Sequence, residues 1–96
     1  MSDPKLPETA LQIQIDESVA HGLYANMALV NHTDAEFTLD FIYVQPQQPK
    51  AAVRARIITS PRHMKRLLAA MADNLQKYEA RFGVVETSSG PDFPVH

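Results

Sequence analysis

The stretch 31-NHTDAEFTLDF-41 places one histidine and three carboxylates close together in sequence, at His32, Asp34, Glu36 and Asp40. On an extended strand the first three would point the same way, because strand side chains alternate. One imidazole and two carboxylates can hold a divalent ion. Their spacing matches no established metal signature, and Asn and Asp are common turn formers. We therefore interpret 31–36 as a turn with a solvated acidic rim, and predict neither a metal site nor a cofactor.

Enzymatic chemistry has little support elsewhere in the chain. There is no nucleophile elbow, no H-E-x-x-H and no Gly-rich phosphate loop, and the sequence has three glycines and no cysteine. Asp40 is the one candidate acid. In a hairpin joining 36–44 to 51–59 it would face either Arg54 or Arg56, so we predict a cross-strand ion pair rather than catalysis. The protein is predicted not to be an enzyme.

The basic start of the long helix is the strongest hint of a binding site. Its residues are Arg62, His63, Lys65 and Arg66. Cations are unfavourable at a helix N-terminus, and free backbone N–H groups beside them make a ready anion site. Three alternatives remain open: pairing with acids of this chain or of a second subunit, a solvated face, or contact with nucleic acid or another anion. The sequence pI near 6.0 makes nucleic acid the least favoured of these.

Charge is segregated along the chain. Residues 1–40 hold seven acids and one lysine, a net −6, whereas residues 41–72 hold six cations and no acid, a net +6. The two halves can neutralise each other within one chain or across a dimer. This pattern favours internal or intersubunit pairing for the basic helix start.

The predicted organisation is a single domain over 10–83, with a flexible N-terminal arm at 1–9 and a flexible C-terminal tail at 84–96. Alternating apolar and polar residues, with turn formers between them, predict four strands. These are 11–16, 23–31, 36–44 and 51–59. The fold class is α+β, an antiparallel four-stranded β-meander followed by one long C-terminal helix.

The helix is defined by its ends and by its periodicity. Ser60 is a good N-cap, Pro61 suits the first helical position and Gly83 is a natural terminator. Apolar side chains between them recur at helical spacing and form a stripe about 100° wide. The stripe consists of Met64, Leu67, Leu68, Met71, Leu75, Tyr78 and Phe82. We expect it to pack on one face of the sheet.

The other face of the sheet is predicted to mix polar and apolar side chains. That mixture is too apolar for a fully wet surface and too charged for a monomer core, so it suits a dimer or a partner surface. The candidate interface residues are Tyr24, Asn26, Ile42, Val44 and Ile58. Tyrosine is favoured at interfaces because it buries area and keeps a bonded hydroxyl.

The sequence resembles a family of short bacterial proteins known only as a domain of unknown function. Two long segments carry the resemblance, YANMALVNHTDAEFTLDF and RARIITSPRHMKRLLAAMADNLQKYEARFG. The resemblance covers roughly 11–83 and implies a compact β-then-α domain without an assigned catalytic residue. Four antiparallel strands followed by a long helix are also similar to the subunit plan of SecB-like export chaperones. Fold similarity alone does not imply function.

These observations predict a non-enzymatic, homo-oligomeric protein-interaction module, adaptor or chaperone-like, that forms a dimer or a larger assembly. The longest apolar stretch, 23-LYANMALV-30, is far too short to span a membrane, and a cytoplasmic location is the expectation. The alternative is a regulator that contacts nucleic acid through the basic helix start.

Overall fold

The computed structural model describes residues 11–87, in which a short helix precedes a three-stranded sheet and a long helix. The elements are α1 (Glu17–Ala20), β1 (Met27–His32), β2 (Phe37–Val44), β3 (Ala51–Thr59) and α2 (Pro61–Phe82). The α+β class, the antiparallel sheet and the long C-terminal helix are confirmed. The predicted arm at 1–9 lies outside the described residues, as does the part of the predicted tail beyond residue 87.

The sheet is a meander with strand order β1-β2-β3, and both pairings are antiparallel. A tight turn at 33–36 joins β1 to β2, where the Thr33 amide donates to the Glu36 carbonyl at 2.9 Å. A longer loop joins β2 to β3, and it closes where the Gln45 amide donates to the Lys50 carbonyl at 3.0 Å. Both connections fall where turn formers interrupt the apolar alternation.

The prediction of four strands is wrong, because residues 11–16 do not form a strand within the described chain. Leu11, Ile13 and Ile15 are instead exposed, Ile13 by 90%. Alternation shows that a segment suits a half-buried strand, but a strand also needs a neighbour with free hydrogen-bonding groups. The predicted strand 23–31 is also shortened, since β1 begins only at Met27.

The register of β1 against β2 determines which side chains share a face of the sheet. Met27 pairs with Ile42 and Leu29 with Asp40, so both apolar β1 side chains lie on the face of Asp40 rather than on the aromatic face of β2. The aromatic face continues instead into Ala28 and Val30. Alternation within each strand does not fix the register between strands, and a slip of one residue exchanges the faces.

A β-bulge between Phe41 and Ile42 changes the register of β3. Phe41 pairs with Ala55, but Ile42 pairs with Val53, so Arg54 is the additional residue. Val53 therefore shares a face with Ile42 and not with Ile57, although simple alternation along β3 would place Val53 and Ile57 together. A bulge inserts one residue into one strand and thereby shifts all later side chains to the opposite face.

The prediction that α2 packs on one face of the sheet is wrong for the single chain. The side chains of its apolar stripe remain in solvent over most of the length of the helix, and Leu68, Met71, Leu75, Tyr78 and Phe82 are between 48% and 65% exposed. Only Leu39 and Ile42 form a buried hydrophobic core among the described residues. This single chain buries little of the apolar surface that its sequence provides.

Candidate interaction surface

The best-formed polar contact of the sheet joins Asp40 on β2 to Arg56 on β3. The arginine donates from Nε to Oδ1 at 2.7 Å and from Nη2 to Oδ2 at 2.9 Å, a two-pronged geometry that fits a carboxylate. Asp40 is buried, whereas the Arg56 side chain is 62% exposed. The hydrogen bonds from Arg56 hold the pKa of Asp40 below its usual value, although burial opposes them, and the same bonds raise the pKa of Arg56.

Of the two arginines considered for Asp40, the structure brings Arg56 to the carboxylate and leaves Arg54 at the bulge. The pairing of Asp40 with Arg56 lies before the shift in register, and Arg54 falls within it. Arg54 is exposed. The pair is therefore a structural clamp between β2 and β3, and the carboxylate already has both oxygens bonded.

The acidic stretch that could bind metal folds as a turn. The Thr33 hydroxyl accepts hydrogen bonds from the amides of Ala35 and Glu36, each at 3.2 Å, which fixes the bend. The His32 ring packs against Phe37 with 5.4 Å between ring centroids. Among residues 11–87, no three histidine or acidic side chains cluster closely enough to hold a metal ion.

Asn26 has a structural role that the sequence reasoning missed. Its side-chain amide accepts from the Val44 amide at 2.8 Å and donates to the Val44 carbonyl at 3.0 Å, while its own backbone N–H donates to Ile42. The side chain therefore extends the ladder beyond the last paired residue of β1. The predicted interface role of Asn26 stays a prediction beside these bonds to β2, which only the position of an amide directly before a strand could have suggested.

The other predicted interface residues are divided between the two faces. Tyr24 is 70% exposed and meets Tyr43 edge to face at 6.2 Å between ring centroids, on the aromatic side of the sheet. Ile42, Val44 and Ile58 occupy the Asp40 side, where Ile42 is 4% exposed and Ile58 is 56% exposed. Ile58 is thus available to a partner, whereas Ile42 already belongs to the small core.

The basic helix start lies on the surface at the end of β3. Ser60 caps the helix, since its hydroxyl accepts from the His63 amide at 3.1 Å. Arg62, His63, Lys65 and Arg66 are all exposed. Arg54 on the preceding strand is exposed as well, whereas Arg56 is already paired with Asp40.

The stripe of α2 is a long apolar surface with most of its side chains exposed. A helix of 22 residues is about 33 Å long, so the stripe is long as well as wide. Tyr78 and Phe82 pack against each other along it with 5.0 Å between ring centroids, and both remain more than half exposed. The stripe was predicted as a core-facing surface, and the structure presents it without cover from the described residues.

A groove of about 640 Å³ opens beside the β2–β3 loop, and nothing in the sequence pattern had indicated it. The lining includes Met27, Leu29 and Val44 from the sheet and Pro46 and Pro49 from the loop. Lys50 is the one ionisable side chain in the lining. The chemistry of the groove suits an apolar group and provides no acid–base pair.

Comparison with known protein families shows to which family the chain belongs. A model of the family DUF3467, described as a protein of unknown function, matches residues 1–87. The chain belongs to this family. No curated protein and no solved structure matches it. The resemblance to an unknown-function family is thus confirmed. The SecB-like comparison rests only on the order of elements, and that order has three strands, not four.

Among residues 11–87, no helix has the length and apolar character needed to cross a membrane.

Proposed function

We propose that this protein is a non-enzymatic, cytoplasmic, homo-oligomeric module whose role is to bind other protein chains, as an adaptor or a chaperone-like subunit. The observation that carries the proposal is the exposed apolar stripe of α2. The absence of cysteine is compatible with a reducing compartment.

A second copy is the simplest cover for the stripe. An amphipathic helix in a folded protein gains most of its stability from packing its apolar face. The stripe keeps a seven-residue repeat at Met64, Met71 and Tyr78 and again at Leu68, Leu75 and Phe82. Such repeats favour side-by-side packing of two helices. The opposite charges of residues 1–40 and 41–72 add self-complementarity.

The test is the mass in solution of two matched variants. Met71→Lys with Leu75→Lys places two cations on the stripe, where both side chains are about half exposed in the single chain. Ala69→Lys with Gln76→Lys adds the same charge on the opposite side of α2, where both residues are exposed. We expect the first variant to dissociate and the second to keep the wild-type mass.

A monomeric wild type at tens of micromolar overturns the proposal, and a stripe variant that retains the wild-type mass overturns the stripe as the contact between copies. Far-UV circular dichroism of each sample accompanies the mass. A dissociated stripe variant should also lose helicity, because α2 no longer has a packing partner.

A nucleic-acid contact is the second candidate, and it is favoured by the exposure of Arg54 on β3 and of Arg62 and Lys65 at the start of α2. Such contact would weaken steeply with salt, because each phosphate contact releases counterions. Binding to duplex DNA and to single-stranded RNA at about 50 mM salt tests it. Retention that is lost on Arg62→Glu with Lys65→Glu supports this candidate, and no retention removes it.

A further inference from the structure

Residues 11–16, LQIQID, have the pattern of a strand, but within the described chain they pair with no other strand. Leu11, Ile13 and Ile15 alternate with Gln12, Gln14 and Asp16. The three aliphatic side chains are 63%, 90% and 66% exposed, and the segment is not paired with β1, β2 or β3. A half-polar, half-apolar segment of this kind is suited to cover one face of a sheet if it finds an edge.

The free edge of β3 is one such position. In the order β1-β2-β3, the outer side of β3 has no neighbouring strand among residues 11–87. An outer edge presents a row of unpaired backbone N–H and C=O groups, to which an extended segment can add. β3 has nine residues, which is more than enough to accept the six of 11–16.

The charges distinguish this edge from that of β1. Residues 11–16 end on Asp16, and Glu17 follows. β3 carries Arg54 and Arg56, whereas the β1 edge carries no cation and runs into the acidic turn 33–36. An acidic segment is therefore attracted to β3 and repelled near the end of β1.

The alternation of side chains also fits β3. Ala55 and Ile57 lie on the aromatic face of the sheet, and Ile57 is 49% exposed. Arg56 lies on the opposite face with Asp40. A strand added beside β3 can place its aliphatic side chains next to Ile57 and its polar side chains, Asp16 among them, on the side of Arg56. A single register then places apolar side chains together on one face of the sheet and polar side chains together on the other.

We propose that residues 11–16 of one chain add as a fourth strand to the outer edge of β3 in a second copy. The aliphatic side chains continue the face of Ile57, and Asp16 lies on the arginine side. The exchange is reciprocal in a two-fold dimer, since each copy offers the same segment and the same edge. This inference rests on the proposed homo-oligomer, to which it adds a second contact independent of the α2 stripe.

Disulfide trapping between two different samples tests the proposal, since the wild-type chain has no cysteine. One sample carries Ile13→Cys, and the other carries either Ala55→Cys or Ile57→Cys. These two positions share a face and allow for a slip of two residues in register. The samples are mixed, left to exchange subunits and oxidised. A disulfide forms only where the two Cα atoms lie within about 7 Å.

We expect a disulfide-linked heterodimer with at least one of the two β3 positions. The matched control is Ile13→Cys mixed with Val30→Cys, which offers a half-exposed position on the β1 edge. Preferential trapping at Val30 overturns the assignment to β3. No trapping at either β3 position, in samples that are dimers by mass, overturns strand exchange and leaves the α2 dimer intact. A monomeric mass for all samples overturns both.

Amide hydrogen exchange gives a second readout. A variant with both Ile13→Pro and Gln14→Pro lacks two successive backbone N–H groups, one of which would point towards β3 in an added strand, so at least one hydrogen bond of the ladder is lost. If the exchange is correct, β3 amides that are protected in the wild type exchange faster in this variant, while the mass stays that of the oligomer. Unchanged β3 protection in an oligomeric variant would contradict the proposal.

Discussion

Arg56 holds Asp40 through two hydrogen bonds, at 2.7 and 2.9 Å, and thereby joins β3 to β2 at the point before the bulge. The pair links the longest strand of the sheet to its central strand. It also uses the one acidic side chain that is buried among the described residues. A carboxylate in this position stabilises the sheet when it is ionised, and both of its oxygens accept hydrogen bonds from Arg56.

The pair predicts a loss of stability in acid. The pKa of Asp40 is lowered in the folded state, so its contribution is complete above the unfolded value near 3.9 and is lost as the pH falls through the lower folded value. Urea unfolding of wild type and Asp40→Asn between about pH 7 and 3 measures this effect. The difference in unfolding free energy should be largest at neutral pH and shrink in acid. A constant difference would contradict the account.

Removing Arg56 should destabilise the protein more than removing Arg54. Arg56→Met leaves the buried Asp40 carboxylate without its two donors, whereas Arg54→Met changes an exposed residue at the bulge. The two substitutions are matched in chemistry and in strand. Urea midpoints at neutral pH should be lower for Arg56→Met. Equal midpoints would show that the clamp contributes little.

Asn26 should matter for stability despite its exposure. Asn26→Ala removes two hydrogen bonds to the Val44 backbone, and a typical bond contributes about 0.5–1.5 kcal/mol. Asn31→Ala, on the exposed part of β1, is the control. We expect Asn26→Ala to lower the unfolding free energy by about 1–2 kcal/mol and Asn31→Ala to change it by less than about 0.5 kcal/mol.

The N-cap of α2 allows a test with two opposite changes. Ser60→Ala removes the acceptor for the His63 amide and should cost about 1 kcal/mol. Ser60→Asp keeps the acceptor and adds a negative charge beside the helix N-terminus and Arg62, which is favourable. Thermal unfolding should therefore give a lower midpoint for Ser60→Ala and an equal or higher midpoint for Ser60→Asp. The same loss in both variants would contradict the capping role.

The α2 stripe predicts stability that depends on protein concentration. If a second copy covers the stripe, folding and association are coupled, and the Tm rises as the protein concentration rises. Calorimetry or circular dichroism over a hundredfold range of concentration measures this directly. The Met71→Lys, Leu75→Lys variant should lose the dependence. A Tm that is constant in the wild type would indicate a chain that is stable alone.

The helix could be predicted almost completely from the sequence. Ser60, Pro61 and Gly83 are local signals with local physical causes, and α2 runs from Pro61 to Phe82 between them. Gly22 has a positive φ of 76°, a conformation that glycine adopts without steric cost. These features depend only on residues that are close in sequence, so local sequence patterns are sufficient to predict them.

The faces and the packing could not be predicted from the same patterns. The bulge at Phe41 and Ile42 moves Val53 to the other face, and no single residue type there indicates it. Residues 11–16 have the alternation of a strand, but the partner edge is not encoded in the segment itself. The stripe predicts which side of α2 is buried, but it does not predict which surface covers that side.

The molar mass of the wild-type protein in solution tests the central claim most directly. One chain has a mass of 10.7 kDa. If another copy covers the α2 stripe, as we propose, sedimentation equilibrium at tens of micromolar should give twice this value or a higher multiple. A mass of 10.7 kDa at every concentration would contradict the homo-oligomer and, with it, the exchange of residues 11–16.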